Sequence, residues 1–134
     1  MNPSRQLAQA QPLTPEQIAT QIRLAREFFA RSGYVAGGNL PSDFTDLNLF
    51  LPEEKEAIIE STLSEIAPEY CNGPHPPNHL AGEPKASGRR MVQFAWPSNC
   101  FDGKRMYLKF CLSPESRLIL LRLHVDHEPN RYKG

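Results

Sequence analysis

Hydrophobic residues recur along this chain first at helical spacing and then at strand spacing. In LTPEQIATQIRLAREFFARSG, Ile18, Ile22, Ala25 and Phe29 fall three or four residues apart, so they share one face of a helix. Thr14 is placed to cap that helix, Pro15 suits its first position, Gln17 stands three residues after the cap, and Gly33 stops it. A second helix is predicted from about Pro52 to Ala67, with acidic residues in its first turn, Ile59, Leu63 and Ile66 as its buried stripe, and Pro68 as its end. Between the two, YVAGGNLPSDFTDLNLFL is dense in turn formers and reads as a loop anchored by a few apolar side chains.

From residue 89 the period changes to two. RRMVQFAW, KRMYLKFCL and RLILLRLHVD read as three strands, with PSNCFDG and SPES as hairpin connections. Strict alternation groups Val92, Phe94 and Trp96 with Met106, Leu108, Phe110 and Leu112, and with Ile119, Leu121, Leu123 and Val125, as the face toward the helices. The expected fold is α+β: two N-terminal helices packed on one face of a C-terminal antiparallel three-stranded, or larger, meander sheet. Residues 1–13 are expected to form a disordered tail and 14–134 a single domain, with helices over about 14–67, a Pro- and Gly-rich loop over 68–88 and the sheet over 89–126.

Composition narrows the class. No apolar run approaches the roughly 20 residues of a membrane helix, and MNPSRQLAQAQP has no apolar stretch of a secretory signal, so a cytoplasmic location and no membrane partner are expected. Three irregularly spaced cysteines, Cys71, Cys100 and Cys111, point to reduced thiols. The net charge of zero conceals a division: residues 1–88 hold 6 Lys/Arg against 11 Asp/Glu, and residues 89–134 hold 9 against 4. A small basic module on an acidic helical base suits recognition of a few phosphates better than a long nucleic-acid groove.

The face opposite the aliphatic one would gather Gln93, Tyr107, Lys109, Arg122 and His124 on three adjacent strands. An ordinary solvated sheet face accounts for Lys and Arg, but the set also contains what metal-free phosphodiester cleavage needs. Arg122 and Lys109 can neutralise a phosphate, and His124 or Tyr107 can exchange a proton with the 2′-oxygen or the leaving oxygen. CNGPHPPNH sets Cys71, His75 and His79 four residues apart, a spacing foreign to zinc sites, so neither metal nor cofactor is expected, although His75 or His79 could fold over the sheet onto RNA. Trp96 lies in register with the core positions, while Phe101 could stack on a base.

MYLKFCL followed by LILLRLHVD, with MVQFAW upstream, resembles the motility quorum-sensing regulator toxins, small bacterial endoribonucleases of the RelE-like superfamily. The resemblance spans residues 52–126 and is closest over the last 35 of them. It implies an mRNA-cleaving site made of Gln93, Tyr107 and His124, with Lys109 completing the Tyr-Leu-Lys string; Arg122, from the reading of the face itself, stands beside it as a second substrate-binding cation. Two positions depart from the family pattern: a last-strand Lys is His124 here, and a Lys after the second helix is Cys71 or Asn72. The implied function is a metal-independent mRNA endoribonuclease, the toxin of a type II toxin–antitoxin pair, with mRNA, ribosome-associated or not, and an antitoxin protein as partners. The alternative is a non-catalytic RNA- or protein-interaction module on the same scaffold.

Overall fold

The computed structural model describes residues 13–72 and 91–126. Of the expected N-terminal tail only Leu13 is described, and it packs against the core; residues 1–12, most of the Pro-rich loop with His75 and His79, and the chain after Asp126 lie outside the described residues. Helix α1 spans Pro15–Ser32 and opens as the sequence predicts, with Thr14 Oγ1 accepting from the Gln17 amide at 3.2 Å and Gln17 Oε1 accepting from the Thr14 amide at 2.9 Å. Gly33 follows at φ 72°, a conformation open to glycine at no steric cost.

The stretch expected to be a loop instead contains strand β1, Tyr34–Ala36, and helix α2, Leu40–Asp46. Three residues are too few for alternation to register, and a seven-residue helix shows only one i,i+4 apolar pair, Leu40 and Phe44, both in the core. Helix α3 covers Pro52–Glu65; Leu51 has no acceptor to cap it, and Glu54 reaches back to the Leu51 amide at 3.1 Å. A single 3₁₀ turn, Pro68–Tyr70, follows.

Strands β2 (Met91–Pro97), β3 (Arg105–Leu112) and β4 (Leu118–Val125) form the expected antiparallel meander. The sheet is larger and mixed, however: its order is β1-β4-β3-β2, and β1 runs parallel to β4, pairing Tyr34–Ala36 with Leu118–Leu120. Parallel neighbours need a crossover, and α2, α3, β2 and β3 all lie between them in the chain. The three helices share one core with one sheet face: Ile22, Ala25, Phe44, Ile59 and Leu63 meet Phe94, Trp96, Leu108, Phe110, Leu120 and Leu123. A smaller buried cluster on the opposite face joins Met91, Cys111, Ile119 and Leu121, with Val35 against it.

No helix among the described residues is long and apolar enough to cross a membrane.

Candidate functional site

Strict alternation fails in β4, and the failure builds the polar face. Lys109 pairs with Arg122 but Phe110 pairs with Leu120, so Leu121 is an extra residue, a β-bulge. Before the bulge, Leu118 and Leu120 point to the helices; after it, Leu123 and Val125 do. The expectation that Ile119 and Leu121 face the helices is therefore corrected, since both belong to the second cluster. One inserted residue flips every side chain beyond it, which leaves Arg122 and His124 on the face of Tyr107.

Register then fixes the site in rows across β2, β3 and β4. Gln93, Lys109 and Arg122 form one row, and Ala95, Tyr107 and His124 the next. The small Ala95 leaves room for Tyr107 to lean toward Gln93 on the diagonal, and the Tyr107 hydroxyl donates a hydrogen bond to Gln93 Oε1. On its other side the Tyr107 ring stacks on His124, with centroids 4.9 Å apart and planes at 25°. The His124 Nδ1 lies 2.8 Å from the Val125 carbonyl oxygen. A carbonyl only accepts, so Nδ1 carries the proton and Nε2 of the neutral ring is left as an acceptor.

The surface is no ordinary solvated sheet face. Tyr107 is 5% exposed, and Met91, Ala95 and Cys111 around it are also buried, whereas Gln93, Lys109, Arg122 and His124 are half-buried. Gln93, Tyr107 and His124 thus come together in direct contact, with Lys109 in the adjoining row.

Arg122 has a partner that no local pattern announces. Asp43 on α2, buried to 3% exposure, accepts from Arg122 Nε at 2.9 Å and from an Arg122 terminal nitrogen at 3.1 Å. It also accepts the Leu123 amide at 3.0 Å, where β4 runs on past the end of β1. At the far end of the face Arg105 Nε donates to Asp126 at 3.0 Å; the other Asp126 oxygen is buried with no hydrogen-bond partner among the described residues.

The hairpin between β2 and β3 is pinned from the helical side by Glu65. Its carboxylate accepts from Trp96 Nε1 at 2.9 Å, Ser98 Oγ at 2.6 Å and the Asn99 amide at 2.8 Å. Burial pushes the Glu65 carboxyl up, but these bonds and the Cys100 amide outweigh burial and hold it below its ordinary range. Trp96 is core, as its register predicted.

Cys71 bridges to Phe94 at the β2 edge, and burial pushes its thiol up to about 11, so it is protonated at neutral pH. Among the described residues no three His, Cys, Asp or Glu side chains are grouped to hold a metal ion. A cavity of about 570 Å³ lies between α1 and α3, lined by Arg26, Phe29, Glu56, Glu60 and Leu63 among others. None of the polar-face residues lines it, and the Gln93–Tyr107–His124 contact set lies elsewhere, so the polar face is the candidate site.

Comparison with protein-family models, curated proteins and solved structures finds no match.

Proposed function

We propose that this chain is a metal-independent endoribonuclease, acting on single-stranded mRNA as the toxin of a toxin–antitoxin pair. The observation that carries the reading is the Gln93–Tyr107–His124 contact set, a hydrogen-bonded phenol stacked on an imidazole whose Nε2 is an acceptor. His124 Nε2 takes the proton from the RNA 2′-hydroxyl, and the 2′-oxygen attacks the adjacent phosphorus. The bond to the 5′-oxygen breaks, Tyr107 gives that oxygen a proton, and a 2′,3′-cyclic phosphate and a 5′-hydroxyl result. The proton returns from His124 to Tyr107 through solvent, so the pair ends as it began. Lys109 carries the phosphate charge, and the Gln93 side-chain amide donates toward the sugar or base. The likeness of MYLKFCL and LILLRLHVD to the motility quorum-sensing regulator toxins supports the same assignment of Gln93, Tyr107 and His124.

A second reading, a non-catalytic RNA- or protein-interaction module, is favoured by two observations: Arg122 is engaged by Asp43, and Tyr107 is nearly fully buried. The full chain incubated with single-stranded RNA in EDTA separates the two. Cleavage leaving 2′,3′-cyclic phosphate ends, slowed at least about 10²-fold in His124→Ala and in Tyr107→Phe with melting curves unchanged, is the expected outcome. Wild-type protein that binds RNA and leaves it intact would establish the module instead.

A further inference from the structure

We propose that Gly37 and Asp43 are the positioning residues of the polar face: together they hold the bulge at Leu121 that turns His124 toward Tyr107. The assignment of a reaction to that face rests on the nuclease reading; the positioning itself does not.

The bulge in β4 sets the phase of everything beyond it. Without it, the alternation set by Leu118 and Leu120 would carry Arg122 and His124 into the helical core and Leu123 and Val125 out of it. That exchange of apolar for polar side chains already favours the bulged phase. The segment between β1 and α2 adds to the preference at two points.

The first is steric. The Gly37 amide donates to the Leu120 carbonyl at 2.8 Å, extending the β1–β4 pairing by one residue to the edge of the bulge. A Cβ on Gly37 would stand 2.9 Å from Leu121 Cδ2 and 3.1 Å from Leu121 Cα. The side-chain atom can swing away, but the Cα belongs to the bulge itself. Any side chain here would force the bulged backbone to give by a few tenths of an ångström, so the glycine serves close approach to the bulged residue.

The second is electrostatic. Asp43 accepts from the first backbone amide after Arg122 and from two nitrogens of the Arg122 guanidinium. These donors converge on one carboxylate with Arg122 on the polar face, the phase the bulge gives. In the unbulged phase the guanidinium would point into the apolar core, and Asp43 would be left a buried anion without its cation. The fork geometry of the guanidinium makes the choice directional as well as charged. Asp43 and Gly37 thus act on His124 through β4, without touching it.

The test uses the full chain with Asp43→Asn, Asp43→Ala, Gly37→Ala and, as a control, Ile59→Ala, which opens the core on α3 and leaves the Asp43 and Gly37 contacts to β4 in place. The primary readout is the NMR shift of the His124 ring protons, displaced in the wild type by the ring current of Tyr107. That displacement is expected to collapse in Asp43→Ala and Gly37→Ala, to fall less in Asp43→Asn, which keeps an acceptor for the Leu123 amide, and to persist in Ile59→Ala despite its lower stability. RNA cleavage should fall about 10²-fold with the displacement, as for any small misplacement of a reacting group. Folded Asp43 and Gly37 variants with unchanged His124 resonances would overturn the proposal. So would unfolding of all three, which would make the segment a support of the whole fold and not a positioning device. Loss of the displacement in a protein whose wild type does not cut RNA would leave the positioning standing and remove the nuclease reading.

Discussion

Replacing Arg122 with alanine separates a structural arginine from a substrate-binding one. The change removes two hydrogen bonds, of 2.9 and 3.1 Å, from a carboxylate that is 3% exposed, and leaves Asp43 with the Leu123 amide at 3.0 Å. Breaking a buried ion pair from one side costs about 3–5 kcal/mol, because the surviving charge loses its compensation. The Arg122 side chain is 36% exposed, however, so water can enter the space it vacates; the lower figure of about 2–3 kcal/mol is expected. Against a stability of roughly 5–15 kcal/mol for a domain of this size, that is a large fraction. Urea unfolding at neutral pH should show a midpoint lowered by about 1–2 M at unchanged m-value. Asp43→Ala combined with Arg122→Ala should cost less than the sum of the two single changes, by about 1–3 kcal/mol, because the second change removes a group the first has already stranded. Arg122→Ala within about 0.5 kcal/mol of wild type would refute the reasoning, since it would make the contact an ordinary surface pair.

Two further outcomes follow from the geometry. The Glu65 carboxyl is held below its ordinary range in the folded chain, so its contribution is fully present above the unfolded carboxylate value and is lost as pH falls through the folded one; the stability gap between wild type and Glu65→Gln should be widest at neutral pH and close in acid, which urea titrations at stepped pH will read. Cys71, with its thiol near 11, should react with iodoacetamide at pH 8 at least about 10²-fold more slowly than a free thiol, and unfolding in urea should abolish the difference, as mass spectrometry of the labelled peptide will show.

What could be read in advance was what is local. The first helix announces itself through Thr14, Pro15, Gln17 and Gly33, all within reach of its own backbone. Strand β3 alternates without interruption, so spacing alone puts Tyr107 and Lys109 on one face. Strand β4 could not be treated that way, because Leu118, Ile119, Leu120 and Leu121 are apolar in both phases and hide the place where the phase changes. Alternation counted back from His124 gives the right face for Arg122 and the wrong one for Leu120 and Leu121. β1 escaped because its hydrogen-bond partners lie more than 80 residues away, and Asp43 because its partner Arg122 is 79 residues away. A polar residue in a short helix beside buried Leu40 and Phe44 is the one local signal that could have marked it, since a carboxylate is rarely buried unpaired.

The charge division along the chain takes on a different meaning once these pairs are placed. The C-terminal third looks basic in sequence, yet among the described residues two of its arginines on the polar face are matched by carboxylates: Arg122 by Asp43 from the acidic helical half, and Arg105 by Asp126 from the end of its neighbouring strand. Part of the asymmetry is therefore used inside the fold, to join the two halves of the chain. On the proposed nuclease reading, a phosphate approaching the polar face would meet Lys109 and a set of directional groups, the Tyr107 phenol, the Gln93 amide and the His124 ring, in place of a dense field of cations. Affinity for RNA from counterion release alone would then be small, and discrimination would rest on whether a 2′-hydroxyl and a phosphate can be presented together to His124 and Tyr107. That requirement is met by a flexible single strand more readily than by a duplex, whose phosphates and sugars are fixed at the spacing of the helix.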